Sequence, residues 1–204
     1  MIIDITPPVS EKCGLFPGES PLHRNVLCDM SEGATVTVSS ITASVHVGAH
    51  ADAPSHYKKG APAIDEISLE PYIGECFVKH CPQRRCITRE DALIGVKSGS
   101  KRLLFRTDTH DPHQFEPDFA YFDKEAIEVF AEAGVILIGI DTPSIDPRDS
   151  KDLPAHQAIA RLGLRNLENL YLDKVAEGKY ELIALPLKLV GFDASPVRAI
   201  LRKL

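Results

Sequence analysis

Three of the chain's eight histidines fall within eleven residues, in the stretch His46-Val47-Gly48-Ala49-His50-Ala51-Asp52-Ala53-Pro54-Ser55-His56. Imidazole nitrogens and a carboxylate are preferred ligands of zinc and its neighbours in the first transition row, so His46, His50 and Asp52 form a chemically sensible partial shell. Two histidines four apart suit a zinc-binding helix, but Gly48, Pro54 and the β-branched Val45 and Val47 oppose a helix, and no glutamate follows the first histidine. In a straight strand the Cα atoms of His46 and His50 would lie roughly 13 Å apart, near the limit for sharing one metal. The chain must therefore bend, and Gly48, free to adopt positive φ, is where it can. Pro54 stiffens the exit and keeps His56 close, where an imidazole titrating near neutrality can serve as an acid/base rather than a ligand. A three-ligand shell is incomplete, and His156 and Glu168 are the candidates to complete it. His156 follows Pro154 in PAHQAIARLG; were that helix to run on to Glu168, about 18 Å would separate the two, so it has to stop at Gly163.

These residues need elements to position them. Ile2 to Ile5 reads as an extended start, TVTVSSITASVHV as strands by its threonines, valines and alternation, and CFVKH as a short strand. Thr88 is an N-cap candidate with Asp91 in the first turn of a short helix. RLLFRT and VILIGID read as buried strands around DKEAIEVFAEAG, an amphipathic helix closed by Gly134. ELIALPLKLV supplies another core strand, and in DASPVRAILRKL Ser195 is placed to cap a helix beginning at Pro196. The expectation is a single α/β (α+β) domain over residues 1–204 with a mixed sheet, and ligands tend to sit just past such strands, here at Asp141 to Ser144.

Composition narrows the partners. With 44% hydrophobic and 25% charged residues the chain reads as an ordinary globular domain, and no apolar run approaches the roughly 18 residues of a membrane span. A formal net charge of -6 has the wrong sign for a nucleic-acid backbone. Five cysteines without a CxxC pair, behind an N-terminus lacking a secretory pattern, point to free thiols in the cytoplasm. Cys76, His80, Cys81 and Cys86 match no structural-zinc spacing. Asp108, His110, Asp111 and His113 follow a strand end and are candidates to line a pocket, with a solvated loop as the alternative. Ser144 lacks the GxSxG elbow of a serine hydrolase, and Arg84-Arg85 is too short for a nucleic-acid patch.

HVGAHADAPSH resembles the HxG(T/A)HxDxPxH signature of the cyclase family of metal-dependent hydrolases, with seven fixed positions in eleven residues. IGIDTPSIDPRDSKDLPAH, LENLYLD and ELIALPLKLVGFDASPVRAIL extend the resemblance, over nearly the whole chain, to the kynurenine formamidase branch of that family. The resemblance implies a swivelling β/β/α fold, a homodimer and two zinc ions per subunit, with manganese or cobalt as compatible substitutes. It implies His46, His50 and Asp52 as ligands of one ion, Asp52 and Glu168 as bridges to a second that His156 also binds, and His56 as proton donor and acceptor. Where that branch carries Trp-Pro-Gly, with the Trp lining the substrate pocket, this chain has Phe16-Pro17-Gly18. Phe16 keeps an aromatic face for the substrate ring but loses the indole N–H. The activity implied is hydrolysis of N-formyl-L-kynurenine to L-kynurenine and formate in tryptophan catabolism, by water acidified on the metal. The rival readings are another amidohydrolase of the family, such as one opening isatin with manganese, and a metal-binding protein without catalysis.

Overall fold

The apolar runs of the second half build the centre of a nine-stranded mixed sheet in the computed structural model, which describes residues 1–204. In chain order the strands are β1 (Ile2–Asp4), β2 (His23–Cys28), β3 (Val38–Thr42), β4 (His50–Asp52), β5 (Ile73–His80), β6 (Cys86–Ile87) and β7 (Arg102–Arg106). They continue as β8 (Tyr121–Phe122), β9 (Leu137–Ile140), β10 (Arg165–Glu168), β11 (Gly178–Ile183), β12 (Ala194–Pro196) and β13 (Ile200–Lys203). The helices are α1 (Pro54–Tyr57), α2 (Arg89–Gly95), α3 (Lys124–Glu132) and α4 (Pro154–Leu162). The main sheet runs β1-β13-β11-β5-β7-β9-β10-β4-β12; β5, β7, β9 and β10 are parallel, and both flanks are antiparallel.

Each parallel step crosses over through one helix, α2, α3 or α4, as buried parallel strands require. Period-two alternation divides the strands between two cores. Leu103, Phe105 and Ile138 pack with Phe122, Phe130 and Ile159 on the helix side, whereas Leu104 and Leu137 join Ile5, Tyr72, Leu167 and Leu182 on the other. Local signals hold where the sequence is explicit. Thr88 and Asp91 form a reciprocal capping box at the start of α2, and α4 stops at Gly163, whose φ of 79° is a left-handed C-cap.

The C-terminus departs from the sequence expectation. Ser195 caps no helix; it lies in β12, accepts a hydrogen bond from the Leu187 amide at 2.8 Å, and β13 follows. The reason is visible in the buried set: Val197, Ala199 and Leu201 recur every second residue, a strand period that prevails over the cap-like Ser-Pro pair. ELIALPLKLV is a strand only to Ile183, because Pro186 cannot extend the ladder. TVTVSSITASVHV yields one strand, β3, which pairs with β2 in a hairpin apart from the main sheet; His46 then lies on a turn.

The helix-side core closes on Phe130, fully buried with its ring edge-on or tilted to Phe105 and Phe122 at centroid distances of 5.4 and 5.9 Å. Phe130→Ala should lower unfolding free energy by about 3–5 kcal/mol in urea denaturation; a loss below about 1 kcal/mol would contradict this placement.

Candidate active site

Six residues from three parts of the chain meet where β4 and β10 pair. The antiparallel register sets Glu168 opposite His50, and both point with Asp52 into one buried place. Gly48, at φ 64°, turns the chain just ahead of β4, so that His46 and His50 come ring to ring at 4.9 Å instead of lying a strand's length apart. Pro54 opens the single turn α1, which carries His56 to within 4.4 Å of the His46 ring. The stop at Gly163 returns the chain through β10, so Glu168 Oε1 lies 3.4 Å from His156 Nε2.

Asp52 faces three imidazoles and Glu168 two. Asp52 Oδ1 lies 3.2 Å from His46 Nδ1 and 3.6 Å from His50 Nε2, and Oδ2 lies 3.5 Å from His156 Nε2. Glu168 turns Oε2 to His50 Nε2 at 3.2 Å and Oε1 to His156. Each of these histidines is oriented from behind. His50 Nδ1–H donates to the Gly48 carbonyl at 2.9 Å, and His156 Nδ1–H to Asp146 at 2.7 Å, leaving both Nε2 atoms aimed at the carboxylates. Asp146 is itself fixed by the amides of Ala155 and His156 at the start of α4. Asn166, fully buried, donates from one amide nitrogen to Asp52 at 2.8 Å and to Glu168 at 3.0 Å.

The electrostatics follow from this pairing. Burial pushes the Asp52 carboxyl up, but hydrogen bonds from His156 and His46 outweigh it and hold the group well below the usual range. Burial and the Asp52 charge raise Glu168, yet His156 and His50 bring it below its ordinary value. Burial lowers His46, and the opposing carboxylates Asp52 and Asp193 lift it to about 9. The fit to a cation is tested by what the chain leaves over: His50 Nε2 and Asp52 Oδ1, both buried, have charged neighbours at 3.2–3.6 Å but make no well-aligned hydrogen bond. Two donor sets, each with its ligand atoms within 4.8 Å of one another, share Asp52: His50-Asp52-Glu168, wholly buried, and His46-Asp52-His56. Two buried carboxylates with four imidazoles are the donors that first-row divalent metals take.

His56 is the solvent-facing member, its side chain 34% exposed. It borders a cavity of about 230 Å³ that is also lined by His46, His156 and Glu168, by Phe16 and Glu19 of one turn, and by residues of the 143–153 segment. Phe16 thus lines the cavity, and Ser144 does too, with its hydroxyl accepting from the Asp146 amide. Asp108, His110 and Asp111 line a separate polar cavity with Arg85 and Glu116. Their loop reaches the first cavity only indirectly, through Phe115 against Phe16 at 5.5 Å. Cys76 and Cys81 belong to cores on opposite faces of the sheet and cannot share an ion.

Three members were missed in the sequence: Asp146, Asn166 and Asp193. Asp193 Oδ2 lies 3.0 Å from His46 Nε2 and 3.3 Å from His56 Nδ1. The strand period that places Asn166 beside Glu168 was a usable signal; Asp193 carried none, since it was read as the approach to a helix.

The family model described as "Putative cyclase" matches residues 3–147. A kynurenine formamidase of Bordetella petrii is 49% identical over 98% of this chain and 97% of its own length, and one of Polaromonas naphthalenivorans 47% identical over 100% and 91%. A solved "potential metal-dependent hydrolase with cyclase activity" superposes with a TM-score of 0.84 at 29% identity, covering 98% of this chain and 96% of that one. Isatin hydrolase A from Labrenzia aggregata shares the fold at a TM-score of 0.84 and 24% identity, over 98% and 93%. With its histidine-carboxylate cluster where β4 meets β10 in a mixed sheet of this shape, the chain belongs to the cyclase family and is akin there to relatives named kynurenine formamidase.

Proposed function

We propose that the protein is an arylformamidase that hydrolyses N-formyl-L-kynurenine to L-kynurenine and formate. The observation that carries this reading is identity of 47–49% to kynurenine formamidases over almost the full chain, joined to a buried donor set that opens on a cavity beside a free histidine. The isatin hydrolases share the fold at about half that identity. His46, His50 and Asp52 would hold one zinc ion, and His156, Glu168 and Asp52 a second; manganese and cobalt suit the same donors. When bound, the metal supplies Lewis acidity to the formyl oxygen and acidifies water at the site.

The chain's own groups do the rest. His56 Nδ1–H donates to Asp193, and no group of the chain engages Nε2, which leaves that atom to move the proton. Nε2 accepts a proton as water adds to the formyl carbon and returns it to the aryl amide nitrogen as the C–N bond breaks, so a neutral amine and formic acid leave, the acid losing its proton to solvent as formate. Phe16 offers the apolar face for the aryl ring. We place the enzyme in the cytoplasm as a homodimer. The exposed Val26, Leu27, Val36, Val38 and Ile41 on and beside the β2–β3 hairpin support association with a second copy.

Purified protein loaded with zinc should convert N-formyl-L-kynurenine to kynurenine, followed at the kynurenine absorption band, and should leave isatin unopened; the reverse preference would overturn the reading. His56→Ala should lower kcat by about a hundredfold or more with bound metal retained. Asp193→Asn should lower kcat by about ten- to a hundredfold with KM little changed. Unaltered kcat in both variants would remove the proton relay.

A further inference from the structure

Two charged side chains of opposite sign, Glu19 and Arg148, line the same cavity as the histidines and Glu168 without contacting any of them. Neither is spent on the fold. The Glu19 carboxylate makes no hydrogen bond or ion pair within the chain, and the Arg148 guanidinium meets only the exposed Asp149, at 3.8 Å. Both are presented by tight turns rather than by mobile stems. Glu19 ends the Phe16-Pro17-Gly18-Glu19 turn, closed by its amide to the Phe16 carbonyl at 3.1 Å, with Gly18 at φ 99°. Arg148 lies inside the Pro147–Ser150 turn, closed at 2.9 Å and tied to the site because the neighbouring Asp146 anchors α4.

A cavity of about 230 Å³ that offers one free carboxylate and one free guanidinium complements a zwitterion. We propose that Glu19 and Arg148 form a recognition site for a free α-amino acid group, the α-ammonium donating to the Glu19 carboxylate and the α-carboxylate accepting from the Arg148 fork. Phe16, on the same turn as Glu19, holds the aryl ring between this group and the histidines. The inference rests on the arylformamidase reading and sharpens it: the enzyme selects aryl formamides that bear an amino acid head over those that lack one. A single charge would serve a substrate with only an acid or only an amine; opposed charges serve one with both.

The test pairs N-formyl-L-kynurenine with 2-formamidoacetophenone, which keeps the aryl ketone and the formamide but not the head. In Arg148→Met and in Glu19→Gln the ratio of kcat/KM for the two substrates should fall at least about tenfold, the loss expected of a charge-assisted contact. An unchanged ratio in both variants would overturn the proposal. Binding of L-kynurenine and of 2-aminoacetophenone, measured by calorimetry, separates it from the reaction. A protein that hydrolyses neither formamide yet binds L-kynurenine through Arg148 keeps the recognition site and loses the formamidase reading. A wild-type protein that binds L-kynurenine no tighter than 2-aminoacetophenone overturns the recognition site even if formamide hydrolysis stands.

Discussion

Asp52 and Glu168 lie buried side by side, and the fold is organised around satisfying them. They repel each other in a place almost closed to solvent, and uncompensated burial of that kind costs several kcal/mol per charge. The fold meets this cost with donors brought from four directions. Asn166 bridges the two carboxylates, the Ile145 amide adds to Glu168, and His46, His50 and His156 surround the pair. Even so, Asp52 Oδ1 and His50 Nε2 remain without a well-aligned hydrogen bond, which is the arrangement a cation completes. Natural cores rarely retain such a group without a ligand or a reaction to justify it.

The sheet supplies the positions. The switch from the parallel strands to β4 puts an antiparallel edge beside β10, and that pairing, one residue out of register, would turn His50 and Glu168 to opposite faces. The Gly163 stop and the Asp146 anchor then fix both ends of α4, so that His156 arrives on a rigid helix rather than on a loop. The outcome is a cluster in which His50, Asp52, His156 and Glu168 lie on strands and a helix and His46 on a turn, while Phe16, Glu19 and Arg148, which also line the cavity, come from turns. Rigid chemistry and adjustable recognition are thereby kept on different parts of the chain.

What the sequence disclosed divides along the same line. His46, His50, Asp52 and His56 are legible because they are close in the chain and Gly48 and Pro54 state how the backbone must turn between them. His156 and Glu168 could be named, but their meeting depends on where a helix ends, a local signal with a long-range effect. Asp193 and Asn166 act across 137 and 114 residues of chain, and only the assembled sheet brings them in. The C-terminal segment shows how two local rules compete: a Ser-Pro cap signal favoured a helix, and the alternation of Val197, Ala199 and Leu201 against the first core prevailed.

On the proposed reading, hydrolysis depends on a metal held by this buried pair of carboxylates and its histidines. The decisive measurement is formamidase turnover of chelator-stripped protein, taken before and after zinc is restored and with bound metal counted by emission spectrometry. Stripping should abolish turnover of N-formyl-L-kynurenine, and restored metal should return it in proportion to occupancy. Full turnover by protein shown to be free of metal would contradict it.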